Sequence, residues 1–66
     1  MKKAIATIET EIGIMTIYYN GEEEPLTAEK DDIIEEIEYT PESYEDALDA
    51  IDSMYKNGWG LEWIEE

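Results

Sequence analysis

Residues 40–58, TPESYEDALDAIDSMYKNG, constrain the fold more than any other stretch of this chain, because they read as one amphipathic helix whose apolar side demands cover. Tyr44, Ala47, Leu48, Ile51, Met54 and Tyr55 recur at the i, i+3, i+4, i+7 spacing. At about 100° per residue that spacing gathers them into a stripe roughly 120° wide. Glu45, Asp46, Asp49, Asp52 and Ser53 fall on the opposite arc. Two starts are available: Thr40 as cap with Pro41 at the first helical position, or Ser43 as cap three residues before Asp46. Carboxylates near either start suit the positive end of the helix dipole. Lys56 suits the last turn, and Asn57-Gly58 offers a residue able to take a left-handed cap. The expectation is a helix over 41–57 with one face for a core and the other almost purely anionic.

Something must cover that stripe, and the N-terminal sequence supplies it. Residues 3–19, KAIATIETEIGIMTIYY, form two β-favouring runs around Glu11-Ile12-Gly13. A three-residue loop with Gly13 at positive φ would set Thr10 opposite Ile14 and Ile8 opposite Thr16. One face of this hairpin would then hold Ala4, Ala6, Ile8, Ile14 and Tyr18, the other Ile5, Thr7, Met15, Ile17 and Tyr19. The phrase TIETEIGIMTI resembles the opening hairpin of the cyclophilin-type prolyl isomerases. The resemblance implies the hairpin alone, since the catalytic Arg, Phe and His residues of that family have no counterpart in this chain.

Beyond Asn20-Gly21, the run Glu22-Glu23-Glu24-Pro25 makes residues 20–31 an expected exposed acidic connection. Residues 27–39, TAEKDDIIEEIEY, fit a helix with Ile33, Ile34 and Ile37 inward, or a strand over 33–39 with Ile33, Ile37 and Tyr39 on one face. The strand is preferred, because the first half of such a helix has only Ala28 to bury. The fold class is therefore α+β. A small antiparallel sheet (hairpin 3–19, third strand 33–39) packs against helix 41–57, with a short C-terminal segment carrying Trp59 and Trp63. That segment either closes the core edge or presents a Trp as a partner-facing anchor.

Length restricts what such a fold can do. A chain of 66 residues is one domain, 1–66, and buries only about 60% of its unfolded surface, which leaves little room for a substrate cavity. With neither Cys nor His, disulfides, thiolate chemistry, the usual zinc ligand sets and histidine base catalysis are all excluded. No apolar run is long enough to span a bilayer, and no signal-peptide core follows Lys2-Lys3, so a cytoplasmic protein is expected. Asp31-Asp32 with Glu35-Glu36 lacks the phase of a calcium loop, and the glycines lack the context of a phosphate-binding loop. No enzyme activity, cofactor or metal is expected.

What remains is charge. Nineteen Asp and Glu against four Lys give a net charge of −15, which argues against direct binding to nucleic acid or an anionic membrane and for a basic partner. Along the helix, Glu42, Glu45 or Asp46, Asp49 and Asp52 set a carboxylate about every 5 Å, against a DNA phosphate about every 3.4 Å per strand. A rigid row of this kind can occupy a basic groove built for nucleic acid. Lys56-Asn57-Gly58-Trp59, closing a helix before an acidic tail, is similar to the helix end of small acidic phage anti-CRISPR proteins that block Cas9. That resemblance implies occupation of the basic pocket where Cas9 reads its protospacer-adjacent motif. The functional expectation is a DNA-mimic inhibitor of a DNA-processing protein, Cas9 being one candidate. The alternative is an acidic interaction module whose basic partner has nothing to do with nucleic acid. Expected partner-binding residues are Glu42, Glu45, Asp46, Asp49, Asp52, Glu35, Glu36, Glu38, Trp59, Glu62, Trp63 and Glu65.

Overall fold

The two β-favouring runs form antiparallel strands β1 (Lys3–Thr10) and β2 (Gly13–Tyr19) in the computed structural model, which describes residues 2–64. Gly13 takes the expected positive φ of 114°. The register differs from expectation by one residue: Thr10 lies opposite Gly13, Glu9 opposite Ile14 and Ile8 opposite Met15. Local hydrogen bonding fastens the tighter loop, because the Thr10 hydroxyl donates to the Gly13 carbonyl at 2.7 Å and accepts from the Ile12 amide at 3.3 Å.

Side chains directly opposite one another share a face, so the shifted register changes which hairpin residues meet the core. Ala6, Ile8, Met15 and Ile17 point inward together, whereas Ile14, expected beside Ala6 and Ile8, stands on the outer face and is 62% exposed. A β-bulge between Ala4 and Ala6 inserts Ile5 as an extra residue, and Ile5 is also buried. Neither of the two expected faces therefore survives intact.

The largest departure concerns the expected acidic connection over 20–31. Its second half is strand β3 (Thr27–Lys30), which pairs with β2 and turns at Asp31-Asp32 into β4 (Ile33–Glu36). Leu26 and Ala28 are buried in the core. The charges that argued against a strand lie away from that core. Glu29 faces outward and receives Lys2 at 2.6 Å. The Asn20 side chain donates to the Pro25 carbonyl and the Thr27 hydroxyl, drawing the truncated acidic loop into place. The preferred strand over 33–39 exists, but it is straight only through Glu36. Beyond it the Ile37 amide donates to the Leu26 carbonyl (2.8 Å) and the Leu26 amide to the Tyr39 carbonyl (3.1 Å), so the chain bends at Glu38 while pairing continues.

The C-terminal segment adds β5 (Glu62–Trp63) beside β1. The result is a five-stranded antiparallel sheet in the order β4-β3-β2-β1-β5, rather than a three-stranded one, with one helix across its inner face. Helix α1 spans Tyr44–Tyr55, inside the expected 41–57. Ser43 is the cap actually used, its hydroxyl accepting from the Asp46 amide at 3.2 Å, while Pro41 is fully buried ahead of the helix. Ala47 and Ile51 are buried, and Tyr44, Leu48 and Tyr55 pack around them. Burying Ile51 of the helix and Ile17 of the sheet contributes about 1.5–3 kcal/mol each. Met54 does not join them: it is 39% exposed and overhangs a groove lined by Tyr39, Asp49, Ala50 and Ser53, on the flank of the helix that the sheet does not reach.

Aromatic contacts fix both ends of the helix. Tyr44 meets Tyr19 edge to face at 5.4 Å with the Lys3 ammonium over its ring, and Tyr55 meets Trp59 edge to face at 5.2 Å. The chain then returns along β1, the Glu9 amide donating to the Trp59 carbonyl and the Ile64 amide to the Ile5 carbonyl. Gly60 holds φ at +60° with the Glu9 carboxylate against it. Among the described residues no helix is long and apolar enough to cross a membrane.

Candidate partner-binding surface

The helix presents its carboxylates as the periodicity requires, with one exception. Glu45, Asp49 and Asp52 are exposed and fall within about 60° of arc, at axial steps of about 6 and 4.5 Å. Neither ion pair among the described residues, Lys2 with Glu29 and Lys30 with Asp31, involves them. Glu42 is exposed just ahead of the helix. Asp46 is the exception. It is half-buried, and its Oδ2 accepts from the Tyr39 hydroxyl at 2.7 Å and from the Glu42 amide at 3.0 Å. These bonds, the Glu42 amide first and the Tyr39 hydroxyl second, hold its carboxyl below the usual aspartate value. The same bond raises the Tyr39 phenol, because a phenolate would lose its donor role beside a carboxylate. Expected to be solvent-facing, Asp46 is half-buried and belongs to the helix cap. The reason is that Tyr39, far from it in any helical reading, is brought alongside by the bend after β4.

The remaining expected contacts are dispersed. Glu35 lies on the inner side of β4 and Glu36 on the outer, since they are consecutive in one strand. Glu38 is exposed at the bend. Glu62 and Trp63 belong to β5, at the opposite sheet edge from β4, about 19 Å away at ordinary strand spacing. Glu36 and Glu62 point away from the helix side altogether. Trp59 and Trp63 are 38% and 44% exposed, so each is partly covered and partly presented to solvent. Glu65 lies outside the described residues. The expected site is thus an exposed helix row plus two separate sheet edges, not one continuous patch.

Two apolar features join the acidic ones. A hollow at the hairpin end of the sheet is lined by Thr10, Glu11, Ile12, Met15, Glu35 and Trp59. Near it, burial and then the Glu35 charge push the Tyr55 phenol up. On β4, adjacent Ile33 and Ile34 are both exposed, Ile34 at 64%. An isoleucine at a turn tip and two consecutive ones in a short edge strand are the sequence signals of these features. Among the described residues, no three carboxylates converge closely enough to hold a metal ion. No family model matches the chain, and no curated protein or solved structure matches it.

Proposed function

We propose that this protein is an acidic inhibitor of the DNA-mimic type, acting in the cytoplasm by occupying the basic nucleic-acid groove of a DNA-processing protein. The observation that carries the reading is the row of exposed carboxylates at Glu45, Asp49 and Asp52 on a capped, packed helix, unpaired by any cation among the described residues. A rigid row loses little conformational entropy on binding, and its release of counterions parallels that of a nucleic-acid backbone. Glu42, beside the start of the helix, lengthens the row. The protein would bind no nucleic acid itself and would need no cofactor or catalytic group. Cas9 is the first candidate target, because the Lys56-Asn57-Gly58-Trp59 helix end is similar to that of the acidic anti-CRISPR proteins.

The test is competition. Guide-loaded Cas9, and a panel of basic DNA-processing proteins, are assayed for binding to this protein with and without duplex DNA. A target should be released by DNA, and its affinity should fall steeply with salt. Changing Glu45, Asp49 and Asp52 together to Lys should weaken the complex by several kcal/mol, mostly through the association rate, and leave the thermal midpoint nearly unchanged. Asp46 is spared because of its place in the cap. Targets that bind without competition from DNA, or that ignore the triple change, would replace mimicry with the reading of an acidic module serving another kind of basic partner.

A further inference from the structure

We infer that the free edge of β4 is a docking site for an extended basic segment of a partner protein, which joins the sheet there as a sixth strand. β4 is outermost in the sheet, and all four of its residues are exposed. The Ile37 amide bonds back to Leu26. By the two-residue alternation of an antiparallel ladder, Ile33 and Glu35 also turn their backbone groups toward β3, while Ile34 and Glu36 turn theirs outward. The opposite edge strand, β5, has only two residues, so β4 is the longer of the two open edges. An open edge is a template for strand addition, which folded proteins ordinarily cover or charge.

The side chains along this edge state what fits. The inner side offers Ile33 and Glu35, the outer Ile34 and Glu36, so each face presents one apolar residue and one carboxylate. An antiparallel incoming strand therefore matches best when two basic residues are followed by two β-branched ones, lying opposite Glu36, Glu35, Ile34 and Ile33 in turn. The basic residue opposite Glu35 points toward the hollow lined by Ile12, Met15, Trp59 and Glu11. There its aliphatic stem meets apolar walls and its charge meets two carboxylates and an indole edge. A second copy of this chain fits poorly. Antiparallel self-pairing about this edge brings together two molecules that each carry a net charge of −15. The contact does not use Glu45, Asp49 or Asp52, so it stands or falls separately from groove mimicry.

The probe is a ten-residue synthetic peptide with the core Arg-Lys-Val-Ile, titrated into the 66-residue protein and followed by amide exchange and chemical shift. The expected result is new protection of the Ile34 and Glu36 amides. Binding should be about tenfold weaker for a peptide of the same composition with alternating basic and apolar core residues, and should vanish for Glu-Glu-Val-Ile. Ile34→Pro removes one outward donor and no ladder bond, a replacement edge strands tolerate, so the fold should persist and peptide binding should be lost. Should that variant not fold, the pair Glu35→Lys and Glu36→Lys serves instead, and it should lose the basic peptide and gain the acidic one. Unchanged affinity in these variants, or peptide-induced shifts on α1 rather than β4, overturns the proposal. So does sedimentation as a dimer that Ile34→Pro dissolves, since the occupant is then a second copy.

Discussion

Leu26 follows directly on Pro25 and the glutamates of the acidic loop, yet its side chain is fully buried. Its backbone amide and carbonyl are both engaged, with Tyr39 and Ile37. Leu26→Ala keeps those backbone bonds and removes only the side chain. Loss of a buried leucine costs about 2–5 kcal/mol, the spread reflecting how far the site collapses. Leu26 belongs to the buried cluster that includes Ile17 and Ile37, and its paired backbone limits collapse, so about 3 kcal/mol is expected. At about 0.05–0.15 kcal/mol per residue, a 66-residue domain has roughly 3–10 kcal/mol in all, so the variant should be severely weakened. For a domain of this size, each kcal/mol moves the thermal midpoint by about 4–8 °C, giving a drop of roughly 12–24 °C. Urea unfolding followed by Trp fluorescence supplies the same quantity through the midpoint at unchanged slope. Ile34→Ala, at the exposed edge, is the control and should stay within about 0.5 kcal/mol. If the two variants lose equal stability, or Leu26→Ala loses less than about 1 kcal/mol, residues 26–30 are loop, and the placement of β3 fails.

Asp46 makes stability depend on acid in a definite direction. Its folded value is lowered, so its contribution is present above the ordinary aspartate value near 3.8 and is lost as pH falls through the folded one. Thermal midpoints of the native chain and Asp46→Asn should therefore differ at pH 7 and converge as pH falls through that lowered value; a gap that persists in strong acid would show that the carboxylate charge is not what the cap uses. Gly60→Ala meets a positive φ and the Glu9 carboxylate, and should cost about 1–2 kcal/mol. Gly58→Ala, with positive φ and open space, should cost less in the same urea titration, and equal costs would remove Glu9 from the account.

The parts of this protein that could be read from its sequence are those set by local periodicity. The helix is one, because the spacing from Tyr44 to Tyr55 admits a single buried face and Ser43 with Asp46 marks its start. The first hairpin is another, because Gly13 fixes the turn. The helix row at Glu45, Asp49 and Asp52 follows from the same periodicity, so the most charged part of the candidate surface was legible as well. Register was not, since a one-residue change in loop length leaves composition untouched and moves Ile14 off the face it would share with Ala6 and Ile8. Nor was β3: TAEK carries no strand signature, and it is held by Leu26 and Ala28 packing under the helix and by Lys2 neutralising Glu29 from 27 residues away. Tertiary structure alone decided that Asp46 is half-buried in the helix cap, that Glu36 and Glu62 face away from the helix, and that β4 ends the sheet uncovered among the described residues. Each depends on which distant backbone lies alongside, and that is settled by the packing of the whole chain rather than by any window of it.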